Sequence, residues 1–475
     1  MRKSRWLALI MCIVLMAAML YGCGAGEAAE QKNGGSEAGG ENSAEDDTKN
    51  NGEDGAQDGG ESNQDNSGNE MVTLKFMGWQ PELQIMNEKM LPIIKEKYPN
   101  INVEVEILEW FDYWDKLTIS SAAGDSADIV AMDVDHIPTF QEYYMGLDEL
   151  AADTYGNEWE SQYNDGVLDG LRNVSEDGSL KMMPSDVTGL WYIFYNKSIC
   201  DKLGVAVPSG EYEDLARFVK EIKAKDANVL PVAFAAKEDV NLGYFYLWLA
   251  SNIDNGIVER AVKGEASFMD EAFVQAFAQL KDMYEKGILA EENFGLDAYP
   301  GCDEAFKNGK AAAYLTGEWY LGNYLMGTSL AGTPTENDEF GIVTMQNVEG
   351  GTTCMQKYAS FGYSVSNECE HKEEAMKVIE EWTQGEAAGE WMNYMACVPA
   401  AKAVTVDMEN MKSDEAKATY QKAFDDLNVN PSVLRSTLNV ELDNKIGEAV
   451  VSVVRSGLDV EDALQQIQQT ADSVR

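Results

Sequence analysis

An α/β protein of two lobes with a ligand cleft between them is the fold the sequence predicts, on three observations. Strand and helix signals alternate over residues 72–132, as they do in βαβ units with a mainly parallel sheet. An apolar, aromatic run, Leu190-Trp-Tyr-Ile-Phe-Tyr195, is bounded by Gly189 and Asn196 and reads as a buried strand. About one small domain's worth of chain precedes that run and considerably more follows. The stretch Lys181–Lys197 is therefore expected to leave one α/β layer, enter another and form one wall of a hinge. With 475 residues, 45% apolar and 10% aromatic, the chain has the length and the material for two or three cores.

The N-terminus predicts export. Arg2, Lys3 and Arg5 precede an apolar run from Trp6 to Leu20 that is short for a membrane span, and Leu20-Tyr-Gly-Cys23 closes it. This resembles the lipobox of bacterial lipoproteins, with residues 1–22 as the signal peptide and Cys23 as the lipidated first residue; the alternative is an ordinary signal peptide. Residues 24–70 hold no Leu, Ile, Val, Phe, Tyr or Trp, and 13 acids face only Lys32 and Lys49. Such a segment buries too little apolar surface to offset ordering, and self-repulsion extends it. Residues 23–70 are thus expected to be a disordered acidic tether.

The folded body is expected from about Met71. Val72–Met77 alternates as a strand and ends at Gly78-Trp-Gln-Pro81. A helix follows through Ile85, Met90 and Ile94, then an alternating strand Ile101–Ile107, a helix Trp110–Ala123 closed by Gly124, and a short buried strand Ala127–Met132. In such sheets ligands sit beyond the carboxyl ends of the strands, which puts Trp79, Gln80, Trp110, Asp133 and Asp135 on one rim. Beyond the crossing strand the chain turns helical, at Glu213–Ala224, Glu271–Lys286 and Asp303–Lys307. Gly309–Leu315 and Phe340–Thr344 read as strands, and Thr316–Gly322 as the start of a helix with aromatics at its mouth. Tyr358–Ser366 reads as a second crossing segment. Glu373–Thr383, Ala387–Ala396 and a pair of helices over Val440–Val474 broken at Ser456-Gly457 complete the chain.

Charge and residue usage narrow the chemistry. A net charge of −46 without a basic patch argues against nucleic acid and makes an anionic ligand unfavourable. Only His136 and His371 are available for imidazole chemistry, and His371 reads as a solvated helix start. Neither HExxH nor a GxxxxGK[ST] loop occurs. Asp133-Val-Asp135 opens like a calcium loop, but Pro138 stands where that loop needs Gly, so no metal and no cofactor are expected. Among 82 acids a glycosidase pair remains an alternative. After Cys12 and Cys23, an odd set remains: Cys200, Cys302, Cys354, Cys369 and Cys397. Small buried residues are the favoured reading, with one disulfide of unassigned pairing as the alternative.

Six motifs then fall in order. Tyr98-Pro-Asn-Ile-Asn-Val103, Ala122-Ala-Gly-Asp-Ser-Ala-Asp-Ile-Val130, Tyr195-Asn-Lys197, Phe306-Lys-Asn-Gly-Lys-Ala-Ala312, Gly317-Glu-Trp319 and Val398-Pro-Ala400 span the body. Together they resemble the family 1 extracellular solute-binding proteins, the sugar receptors of ABC importers. Ala127 stands where that pattern usually has Pro. The resemblance implies a type II periplasmic-binding-protein-like fold with hinge-linked, discontinuous lobes. The first lobe would be 72–187 plus 365–404, and the second 194–357 plus 410–475. It also implies a binding function without catalysis, importer permease subunits as partners, and a monomer held to the cell membrane only by its lipid.

Sugar recognition requires flat aromatic faces for the apolar side of a pyranose and carboxylates or amides for its hydroxyls. Trp319 matches the family's stacking tryptophan, and Asp135 stands where members place a carboxylate on sugar hydroxyls. Trp79 and Trp110 are further stacking candidates, with Gln80, Glu82, Asp133, Asp186, Glu318 and Tyr363 as neighbours; Trp191 reads as core. A receptor of the same architecture for a peptide or polyamine is the alternative. Cys23→Ala is expected to abolish lipidation, and labelled fatty acid still entering that variant would remove the anchor.

Overall fold

In the computed structural model, residues 71–475 are described. The expected signal peptide, the tether and Cys23 lie outside them. The first sheet has the order β2-β1-β3-β10-β4. Its strands are β1 (Val72–Gly78), β2 (Ile101–Ile107), β3 (Ile129–Met132), β4 (Met183–Pro184) and β10 (Gly362–Val365). β1 pairs in parallel with β2 and β3, as βαβ units require. β10 runs antiparallel to both β3 and β4, because it returns from the other lobe instead of through a crossover helix.

The second sheet is built around β5 (Asp186–Asn196), in the order β12-β9-β5-β7-β6 with β8 and β11 also paired to β5. Here β6 is Leu230–Ala233, β7 Ala311–Gly317, β8 Phe340–Thr344, β9 Met355–Tyr358, β11 Val398–Pro399 and β12 Ser432–Val433. This sheet is largely antiparallel, unlike the parallel sheet the alternation of residues 72–132 suggests for the first lobe. β5 explains its own sequence. Trp191, Ile193 and Tyr195 point into one core, while Tyr192 and Phe194 point into another on the opposite face. With both faces covered, a strand needs an uninterrupted apolar run, not an alternating one. β7 runs two residues further than the sequence suggests: Thr316 and Gly317 pair with Tyr192 and Leu190, so the helical turn starts at Glu318.

Two long helices, Asp239–Ile253 and Asp414–Val429, occupy stretches where the sequence reading places no element. The first is buried almost all round and carries no polar stripe to betray its period. The second packs Ala416, Tyr420, Ala423 and Leu427 on the Tyr192/Phe194 face of the sheet. All five cysteines of the described residues are buried and unbonded.

Three passages join the lobes. The chain steps from β4 to β5 across Ser185, and from β9 to β10 across Ala359–Phe361. It passes a third time between Val404 and Met411, since Ala400, Ala401 and Val404 lie in the first-lobe core and Met411 in a core of the second sheet. Backbone bonds weld these passages: Ser185 N donates to Phe361 O at 2.9 Å, and Ala400 N donates to Ser185 O at 3.0 Å. A side-chain chain reinforces them. Thr188 Oγ1 donates to Glu318 Oε2 (2.8 Å) and meets Ser360 Oγ (2.9 Å), while Ser360 Oγ and Phe361 N donate to Asp186 Oδ1 (3.0 and 3.1 Å).

Asp186 is 4% exposed and Glu318 0%. Burial pushes the Asp186 carboxyl up to about 7, with the Asp133 charge adding to the rise and the Ser360 and Phe361 donors opposing it. Burial, then the neighbouring Asp186, raises Glu318 well above the ordinary range. A carboxyl that titrates higher in the folded than in the unfolded chain costs stability as pH rises between those two values. For Asp186 that window runs from its ordinary 3.8 to about 7. Asp186→Asn retains an acceptor for Ser360 and Phe361. It is therefore expected to gain about 1–3 kcal/mol over wild type at pH 8, with a smaller difference near pH 4. Urea melts across that range check this, and a constant difference would contradict it.

Candidate functional site

The carboxyl ends of the parallel strands carry one side of the site. Trp79 follows β1, Trp110 opens the helix Trp110–Ala123 after β2, and β3 runs into Asp133 and the turn Val134–His136. These residues converge. The Trp79 ring lies 4.9 Å edge-on from Trp110, 5.3 Å from Trp114 and 5.4 Å from Phe361 of the second passage. His136 stacks on Trp114 at 3.6 Å. Asp133 Oδ1 accepts from Asp135 N at 2.9 Å and lies 3.6 Å from His136 Nδ1, which fixes the turn. Burial raises the Asp133 carboxyl, but His136 and Arg435 together bring it below its ordinary value. Asp135 goes the other way: burial, with Asp133 beside it, outweighs the pull of Arg435.

The second lobe supplies the facing wall. Asp135 Oδ2 stands 3.2 Å from Arg435 Nε, an ion pair that joins the lobes. The Arg435 guanidinium lies 4.8 Å from the ring centres of both Tyr244 and Tyr358, and its Nη1 donates to the Tyr358 hydroxyl. Beside it is a cavity of about 50 Å³ lined by Trp191, Phe234, Asn241, Tyr244, Thr316, Trp319 and Arg435 among others. That is small against the roughly 300–1,000 Å³ of ligand pockets, so the walls are drawn together here. Trp319 is half-buried and packs against all three hydrophobic cores, those on both faces of the second sheet and that of the first lobe. Its Nε1 is buried without a hydrogen-bond partner, as is that of Trp191.

Of the residues the sequence nominates, Trp79, Trp110, Asp133 and Asp135 come together at the first-lobe rim, and Trp319 stands on the facing wall. Gln80 and Glu82 follow Trp79, both half-buried. Burial raises the Glu82 carboxyl while Lys307 of the second lobe pulls it down. Three nominees are placed elsewhere. Tyr363, fully buried on β10, packs its ring on Phe76, Phe361 and Trp382 inside the first core. Asp186 and Glu318 are enclosed between the passages and bond to Thr188 and Ser360 instead of lining the cavity.

A family model described as bacterial extracellular solute-binding protein matches residues 81–392. The chain belongs to that family. Solved structures share the fold of this solute-binding protein. One, from work on xylan utilization by the thermophilic bacterium Caldanaerobius polysaccharolyticus, is 22% identical; the match covers 84% of this chain and 100% of that one, with a TM-score of 0.69. A chitin oligosaccharide binding protein is 18% identical over 85% of this chain and 98% of that one, with a TM-score of 0.67. An ABC substrate-binding protein from Listeria monocytogenes in complex with cycloalternan is 18% identical over 85% and 99%, with a TM-score of 0.66. At these identities the likeness establishes the type II two-lobe fold. Among the described residues no helix is long and apolar enough to cross a membrane, and no cluster of His, Cys, Asp and Glu could hold a metal.

The solute-binding protein's second-lobe wall is the part sequence reasoning misses. Trp191 lies in a run that reads as core, and it is both core and cavity lining. Asn241 and Tyr244 belong to the helix without a visible period, and Arg435 to a short irregular stretch after β12. Gly317 has a legible role in hindsight. A Cβ there would fall inside the Trp319 ring, which folds back over the glycine. Gly317→Ala is expected to displace that ring and lower stability by about 1–3 kcal/mol. Tryptophan fluorescence and a thermal melt would both shift, and an unchanged spectrum would contradict the packing.

Proposed function

We propose that this solute-binding protein is the extracellular, lipid-anchored receptor of an ABC importer and that it captures a carbohydrate between its lobes. The observation that carries the reading is Trp319: a half-buried indole at the meeting of three cores, beside a cavity to which Trp191, Phe234, Tyr244 and Tyr314 add aromatic surface and Asn241, Thr316 and Arg435 polar groups. Aromatic faces cover the C–H side of a pyranose, and Asp135 and Arg435 offer an acceptor and donors for its hydroxyls. The related structures named for chitin oligosaccharide and cycloalternan, and another in complex with raffinose, support a carbohydrate as the class.

The mechanism follows from the passages. One lobe binds the ligand first, and rotation about the three linkers brings the other lobe over it, so the ligand favours the closed state by its extra contacts there. The closed shape is what permease subunits would read, and no bond is broken. One observation favours a second reading: Glu82, Asp133 and Asp135 make the rim acidic, which suits a polyamine.

A thermal-shift panel of neutral oligosaccharides and spermidine, followed by calorimetry, separates the two, since a tight ligand raises the midpoint by mass action. Trp319→Ala is expected to weaken the sugar that responds by roughly 1–3 kcal/mol. Because this tryptophan also packs against three cores, its ligand-free stability should fall as well. Unchanged affinity in that variant would remove the stacking role, and a response to spermidine alone would remove the sugar.

A further inference from the structure

Arg435 is the least explained charge in the second lobe. Its guanidinium is held between two tyrosine rings, a setting that fixes the plane of the group and strips most of its water. Nη1 is bound to Tyr358, yet Nε is buried with no hydrogen-bond partner, and the carboxylate oxygen it faces, Asp135 Oδ2, is also buried without one although it lies 3.2 Å away. The two charges attract but do not meet in bonding geometry. The surrounding charges are already engaged: Asp133 accepts from Asp135 N and faces His136, and Asp443 accepts from Thr437 N and Oγ1, both at 2.8 Å. Asp135 and Arg435 are therefore the oppositely charged pair across the cleft with unused capacity; His136 Nδ1, also without a hydrogen-bond partner, faces Asp133 within the first lobe. One is an acceptor from the first lobe and the other a donor from the second, and Arg435 borders the cavity that Trp319 lines.

We propose that Arg435 is a ligand-binding residue of the second lobe, and that its pairing with Asp135 across the cleft selects uncharged polyols over charged solutes. This rests on the carbohydrate reading above and narrows it. A hydroxyl both donates and accepts, so adjacent hydroxyls of one ring can donate a hydrogen bond to Asp135 and accept one from Arg435, satisfying both without changing the net charge of the pair. A cationic group that takes Asp135 strands a desolvated guanidinium between two tyrosines. An anionic group that takes Arg435 leaves Asp135 beside Asp133 without its counter-charge. Either leaves a buried charge uncompensated, the costly case. A neutral ring bridging the two residues also ties one lobe to the other, so the contact that discriminates is one that holds the closed form.

The test uses the full chain with maltotriose, xylotriose, raffinose and chitotriose as uncharged probes, and trigalacturonate and spermidine as charged ones. Wild type is expected to respond most to one of the uncharged probes. Arg435→Gln is expected to lower the affinity for that probe at least tenfold, and Arg435→Lys to recover little, because an ammonium lacks the planar fork. Spermidine binding should rise in Arg435→Gln, where Asp135 is no longer paired. If Arg435→Gln does not fold, Asp135→Asn, which leaves the guanidinium in place, is read in the same way, with the same tenfold loss expected. Arg435→Gln binding the uncharged probe within twofold of wild type would overturn this proposal and leave the sugar reading standing. Wild type answering only to a charged probe, or to none, would overturn both.

Discussion

Everything in this molecule depends on the hydrogen-bonded weld between its three interlobe passages. Ser185 sits at its centre, donating to Phe361 and accepting from Ala400, so one residue ties two returning segments to the outgoing one. Asp186, Thr188, Ser360 and Glu318 extend the weld through side chains, in a place where both carboxyls are dry. Buried carboxyls are costly unless neutral or well bonded, and these are held toward the neutral form. The weld also locates the site. β5 leaves it carrying Trp191, β7 runs alongside and presents Trp319, and the second passage delivers Phe361 to the Trp79 cluster.

The first lobe was legible because its elements obey simple periods. β2 alternates, its flanking helices are capped by glycine or stopped at Tyr98-Pro99, and the rim residues follow from where parallel strands end. Trp79, Trp110, Asp133 and Asp135 could be placed together before any contact was known. The second lobe resisted for a physical reason. When a sheet is covered on both faces and a helix such as Asp239–Ile253 is buried nearly all round, polarity no longer marks which side is which. Asn241 and Tyr244 escape notice for that reason, and Arg435 because it stands in an irregular stretch after β12 that has no period to read. Asp186, Glu318 and Tyr363 stand beside crossing segments in the sequence, and nothing in their local pattern tells that the crossing has an interior that encloses them.

Trp319 shows how closely structure and recognition are joined in this fold. Gly317 leaves room for its ring, Glu318 anchors the turn between them through Thr188, and the indole then reaches every core of the folded body. A residue so placed reports the relative position of the lobes as well as whatever lies against it. Binding and closure are then two views of one packing arrangement.

The five buried thiols have a separate use. Cys200 lies in the core on one face of the second sheet, Cys302 in the core on the other, and Cys369 and Cys397 in the core of the first lobe. Burial pushes Cys200 up to about 11 and Cys369 up to about 12, so the reactive thiolate is scarce while the fold is intact. Each hydrophobic compartment thus carries its own silent tag, which a thiol reagent reaches only when that compartment comes apart. Alkylation mapped by mass spectrometry would record, from the native sequence and without an added probe, the order in which the protein loosens.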